Sequence, residues 1–220
     1  MEYTITGSPG FAYLDVDLDP GESLVSEAGA MSSMAADLDI RTRLNGGVFS
    51  GLAKRFLGGE SLFVNEFTNS ARQSRRLTLG AQIPGDIRTM ELHNETFYFQ
   101  PGAFLACTQG INIGLGYAGL GSFVGREGLF RLKIAGEGRV FYSSFGGILE
   151  KRISGGYIVD TGHLVGYTPG IRLRMKMAGG IFSSIFGGEG LVTRLEGEGR
   201  VLLQTRSLSG LASWLNPKLR

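Results

Sequence analysis

The feature that most constrains this chain is that its turn motifs recur. Pro20-Gly21-Glu22-Ser23-Leu24-Val25, with Gly29 further on, returns as Pro101-Gly102-Ala103-Phe104-Leu105-Ala106 with Gly110, and again as Thr161-Gly162-His163-Leu164-Val165-Gly166 with Gly170. Long-period self-similarity means copies of one supersecondary unit, each too small to bury its apolar face alone. A second string follows the same rule. Gly125-Arg126-Glu127-Gly128-Leu129 leads to Gly136-Glu137-Gly138-Arg139-Val140, and Gly187-Gly188-Glu189-Gly190-Leu191 leads to Gly197-Glu198-Gly199-Arg200-Val201. The spacing differs by one residue, which a bulge absorbs. In the first copy Gly58-Gly59-Glu60-Ser61-Leu62 and Arg76-Leu77 hold these places. The reading is a single body over 1–207 made of three units, 1–80, 81–150 and 151–207, with 208–220 as a C-terminal tail.

Each unit alternates with period two. Leu14, Val16 and Leu18 interleave with Asp15, Asp17 and Asp19; Ile171, Leu173, Met175 and Met177 interleave with Arg172, Arg174 and Lys176. Such alternation places one face of a strand in a core and the other in water. Glycine supports the same class: 36 of 220 residues, about 16%, is twice the usual share and excludes a helical bundle. The expectation is an all-β fold of three pseudo-equivalent β units, a double-stranded β-helix or barrel-like sandwich, with short helical inserts.

A glycine-bracketed insert divides each unit: Gly46-Gly47 to Gly58-Gly59 in the first, Gly179-Gly180 to Gly187-Gly188 in the third, and in the second only the shorter Gly119-Leu120-Gly121-Ser122-Phe123-Val124-Gly125. Val48, Leu52 and Phe56 fall at i, i+4 and i+8, and Phe182 and Phe186 at i and i+4, which predicts a short amphipathic helix in each of the longer two. Val48, Phe49, Phe56, Leu57, Ile181, Phe182, Ile185 and Phe186 outnumber the apolar positions that strands already covered on one face can accept. Apolar loops of this kind mark an interface, with another subunit or with a membrane surface beside Lys54 and Arg55, the alternative being that they cap the open end of a barrel within the monomer. Ser207 is placed to cap a terminal helix carrying Leu208, Leu211, Trp214 and Leu215, which Pro217 stops.

Together, the recurrent Pro-Gly strands, the Gly-Gly inserts with Phe and the late Gly-Glu-Gly-Arg-Val strands resemble bacterial members of the Altered Inheritance of Mitochondria protein twenty-four family. The likeness spans essentially the whole chain. It implies a β-rich fold grouped with the tryptophan RNA-binding attenuation protein, homo-oligomers, and no catalytic motif to carry over. Because the fungal relatives act in mitochondrial biogenesis and inner-membrane organisation, it also suggests membrane association.

The residues themselves offer little chemistry. Gly114-Leu115-Gly116-Tyr117-Ala118-Gly119 matches a dinucleotide fingerprint, but more glycine follows where a helix should. No Walker loop or nucleophile elbow is present. His93 and His163 read as solvent-facing turn residues without metal-ligand spacing, and Cys107 as a buried small apolar group. Arg172, Arg174 and Lys176 could face an anion, though a wet strand face explains them equally. With 22 basic residues against 20 acidic, nothing in the balance calls for nucleic acid. Arg76, Arg139 and Arg200 recur at one register, and ion pairs with Glu60, Glu127 and Glu189 would stitch each unit.

The expected function is a non-enzymatic oligomeric scaffold or interaction protein, a trimer or hexamer that also meets a membrane surface. No cofactor is expected. Met1–Pro9 lacks a signal-peptide pattern, so the expected address is the cytoplasm, peripheral at the inner membrane. The rival is a small-ligand or RNA binder using clefts between subunits.

Overall fold

The protein is described by a computed structural model covering residues 1–44, 63–117, 130–177 and 191–219. Among the described residues fifteen strands run in chain order: β1 Glu2–Thr6, β2 Tyr13–Leu18, β3 Ser23–Glu27, β4 Met31–Met34, β5 Leu38–Leu44, β6 Phe63–Asn69, β7 Arg75–Gly80, β8 Ile87–Phe99, β9 Phe104–Thr108, β10 Ile111–Tyr117, β11 Phe130–Ser143, β12 Ile148–Asp160, β13 Leu164–Tyr167, β14 Ile171–Met177 and β15 Leu191–Gln204. One α-helix follows, α1 Leu208–Leu215. The fold is all-β.

Alternation decides which face of each strand is buried. In β2, Leu14, Val16 and Leu18 are fully buried while Asp15 and Asp17 lie on the wetter face. Asp15 Oδ1 accepts a hydrogen bond from the Thr78 hydroxyl at 2.6 Å, and Asp17 is bound by Arg76 across the β2–β7 ladder. Neither needs a metal ion to be satisfied.

In the middle of the chain, β8 and β11 form one long antiparallel ladder whose two halves belong to different layers. The N-terminal half of β11 carries β10 on its other edge, Ile111 opposite Gly136 through Tyr117 opposite Phe130. The C-terminal half carries β9, with Cys107 opposite Val140. Between them the register slips at Gly136/Glu137, where Gly136 (φ 128°) and Gly138 (φ 141°) adopt backbone that favours glycine and Asn94 (φ 59°) bulges from β8. Phe97, Phe99, Leu132 and Ile134 from one half therefore share a core with Leu92, Phe104, Cys107, Val140 and Tyr142 from the other. That is a small β-sandwich made by bending one ladder.

The strands β12–β15 pair in the same pattern. β12 runs along β15, β14 joins its first half and β13 its second. Near the N-terminus both long strands are broken: β2 and β3 replace β8, and β6 and β7 replace β11. Here β4 pairs with β7 and β5 with β6. Buried side chains form three clusters in chain order, centred on Leu14–Leu79, Leu92–Tyr142 and Val159–Leu203. Neighbouring clusters are joined by the β3–β9 and β8–β13 ladders.

This pairing shifts the correspondence expected from Pro20-Gly21. Gly80 N donates to Ala30 O at 2.8 Å just as Ser143 N donates to Ala103 O at 2.8 Å. Ala30 N and Ala103 N each close a turn on the residue three positions earlier, Glu27 and Gln100. Gly29 (φ 89°), not Gly21, thus stands where Gly102 (φ 79°) does. Pro20-Gly21 instead makes the tight turn that breaks the first long strand in two. Barrel closure does not occur either: the 4-stranded sheet runs β1-β2-β7-β4 and the 11-stranded sheet runs from β12 to β5, both open. The inserts expected to be helical lie outside the described residues.

Candidate functional site

Three turns converge at one end of the molecule. Glu27-Ala28, Gln100–Ala103 and Thr161-Gly162 line a cleft of about 490 Å³, together with the chain leaving β7, β11 and β15. Ala81, Gln82 and Ile83 come from the first exit, Ser143 and Ser144 from the second, and Gln204, Leu208 and Ser209 from the third. Corresponding pieces of the three clusters thus surround one space.

The walls are fixed by hydrogen bonds among residues distant in sequence. Gln204 accepts from Phe145 N at 2.9 Å and donates to Gly162 O at 2.8 Å. The buried hydroxyls of Thr161 and Thr193 lie 2.8 Å apart. Asp160 caps the short turn over Thr161–His163 by accepting from Gly162 N at 2.8 Å. His163 is not the solvent-facing residue its turn suggested. It is half-buried, and its Nδ1 lies 2.7 Å from Gln204 O, to which it must donate because a carbonyl only accepts. His93 is exposed as expected, but it sits on β8 beside the bulge rather than in a turn.

The chain on either side of each insert ends beside this cleft. Val64, next to the first insert, is paired with cleft-lining Glu27. Leu132, close after the second, is paired with Phe99, the residue before Gln100. Val192, after the third, is paired with Asp160, the residue before Thr161. Val48, Phe49, Phe56, Leu57, Ile181, Phe182, Ile185 and Phe186 themselves lie outside the described residues.

The basic stripe is placed on β14. Arg172 is exposed, and Arg174 Nε is 2.9 Å from Glu196 Oε2, a carboxylate that also lies 2.9 Å from Arg194 Nε. The side chain of Lys176 lies outside the described residues. Glu60, Glu127 and Glu189 lie outside them too, and the recurrent arginines have other partners. Arg76 pairs with Asp17 at 2.7 Å and Arg139 with Glu91, each directly across the ladder. In the third unit Arg152 occupies that opposite position, and Arg200 reaches Glu150 only at 3.8 Å.

A buried cation escaped the sequence reading. Arg131, 9% exposed, lies 4.9 Å from the Tyr167 ring centroid and 5.7 Å from that of Tyr98, and burial pulls its pKa down. Its only signal in the sequence is an Arg set between Phe130 and Leu132 at the start of an apolar strand. Among the described residues no group of three or more His, Cys, Asp or Glu is placed to hold a metal ion, and no helix is long and apolar enough to cross a membrane.

A family profile described as mitochondrial biogenesis AIM24 matches residues 3–206. An uncharacterized protein of Streptococcus pyogenes serotype M6, M6_Spy0233, is 28% identical over 225 residues, which span 98% of this chain and 90% of that protein. The crystal structure of SPYM3_0169 from Streptococcus pyogenes superposes with a TM-score of 0.79 at 25% identity, covering 99% of both chains. The match over nearly the whole sequence, in a fold that a solved relative shares end to end, makes this chain a member of the AIM24 family.

Proposed function

We propose that the protein is a non-enzymatic oligomeric scaffold that engages further copies of itself through its insert-bearing end. The observation that carries this reading is the convergence of all three insert roots on one cleft-bearing end. The segments that carry Val48, Phe49, Phe56, Leu57, Ile181, Phe182, Ile185 and Phe186 join the described chain beside that one cleft, and apolar segments rooted together suit an interface. The same end is the one that would face a membrane surface. Phe56→Asp and Phe182→Asp separate the two contacts in one experiment. Dissociation of the oligomer in light scattering identifies a subunit interface; loss of vesicle binding at unchanged mass identifies a membrane contact.

A second reading rests on the cleft itself. Its size suits a small ligand, and Gln82, Gln100 and Ser144 place neutral hydrogen-bonding groups around it beside Glu27, so its ligand would be polar and not anionic. Mass spectrometry of the purified protein under native conditions tests this, since a retained small molecule would favour the ligand reading over the scaffold.

A further inference from the structure

Helix α1 is properly formed and almost wholly unpartnered. The Ser207 hydroxyl accepts from Gly210 N at 3.1 Å and caps it, yet α1 buries none of its residues. Leu208, Trp214 and Leu219 are 54%, 60% and 78% exposed, and Leu211 is exposed as well. At 100° per residue Leu208, Leu211, Trp214 and Leu215 fall on one side of α1, with Ser209, Gly210 and Ser213 on the other. Water is a poor solvent for that side, and nothing among the described residues buries it.

Charge indicates what does. From Thr205 to the end, the sequence carries Arg206, Lys218 and Arg220 and no acidic residue. The Lys218 ammonium lies 4.8 Å from the Trp214 ring centroid, so a cation stands at the margin of the apolar side. Leucines beside a tryptophan, with Lys218 at their edge and no acidic residue in the tail, are the composition of a helix that lies in the headgroup layer of an anionic bilayer. A second copy of the chain fits less well. Four or five side chains on two helical turns fall far short of the roughly 800 Å² per partner that a stable dimer buries.

We propose that α1 and the residues after it form an interfacial anchor for anionic lipid surfaces, with Leu208, Leu211, Trp214 and Leu219 entering the acyl boundary and Arg206 and Lys218 meeting the headgroups. Leu208 and Ser209 also form part of the cleft wall, so the anchor sits beside the insert-bearing end, but the proposal does not rest on the scaffold reading.

Trp214 is the chain's single tryptophan, so its fluorescence reports on α1 alone. The full chain is mixed with vesicles of phosphatidylcholine, or of phosphatidylcholine with about one third phosphatidylglycerol, and followed by emission and by iodide quenching. The expected result is a blue shift and protection from iodide on the anionic vesicles, with binding on the order of tenfold tighter than on neutral ones. Leu211→Asp removes the shift and Lys218→Glu weakens it, both at unchanged thermal midpoint, because α1 contributes no buried side chain to the β body. Phe56→Asp and Phe182→Asp leave it in place. Emission that stays put while the protein sediments with vesicles places the contact elsewhere and overturns the proposal, as does an absence of binding. A Trp214 already shielded from iodide before vesicles are added, and unshielded on dilution, overturns it in favour of a second copy.

Discussion

Gly136 passes so close to Gly110 that a Cβ on Gly136 would lie 2.2 Å from the Gly110 carbonyl oxygen. Gly197 and Gly170 repeat the relationship at the same 2.2 Å. Both sit where a long ladder bends between layers, and the amide three residues on is caught by a threonine: Arg139 N donates to Thr108 Oγ1 at 2.9 Å, Arg200 N to Thr168 Oγ1 at 3.0 Å. The bend that makes each sandwich therefore depends on glycine for both its φ and its clearance.

Gly136→Ala is expected to cost about 3 kcal/mol, from strained φ and from backbone that must move aside. Gly114→Ala, whose added Cβ would meet nothing closer than 3.9 Å, is expected to stay within about 1 kcal/mol of the parent. Urea midpoints compare the two. Equal effects would remove the bend from the account.

Cys107 is fully buried in the central core, and burial pushes its thiol up to about 12. At pH 8 the thiolate is therefore scarce as well as inaccessible, and Cys107 is expected to ignore a thiol-specific disulfide reagent until the chain opens. Labelling should accelerate with urea in step with unfolding. Rapid stoichiometric labelling of the native protein would place Cys107 outside the core.

The Arg76 guanidinium, hydrogen-bonded to Asp17, holds that carboxyl below its ordinary value. A depressed folded pKa contributes stability that is present above the unfolded carboxylate value near 4 and is lost as pH falls through the folded value below it. Asp17→Asn should therefore be less stable than the parent at pH 7, modestly because the pair is largely exposed, and the two should converge as pH falls below the ordinary carboxylate range and through the lowered folded value. A difference that persists unchanged into that acid range would assign the effect to packing.

Much of this was legible because it is local. Leu14, Val16 and Leu18 alternate with aspartates and are buried, and Ser207 caps the helix its sequence announces. The strings Gly136-Glu137-Gly138 and Gly197-Glu198-Gly199 mark the two bends, since a bend needs those glycines wherever it occurs. The register of the first unit was not legible, because Pro20-Gly21 and Gly29-Ala30 both read as turns. Only the bond from Gly80 N to Ala30 O tells which one matches Gly102-Ala103. Asp17 as the partner of Arg76 was hidden for a related reason: a cross-strand neighbour lies 59 residues away in the chain. The cleft is further still from sequence reasoning, since its walls come from Glu27, Gln82, Gln100, Ser143, Thr161 and Gln204.

The central claim, that the insert-bearing end joins subunits, is tested most directly by light scattering of the purified protein behind size exclusion. The account predicts a trimer or hexamer of the 23.6 kDa chain, reduced to smaller species by Phe182→Asp. A parent protein that elutes as a stable monomer at all concentrations would contradict it.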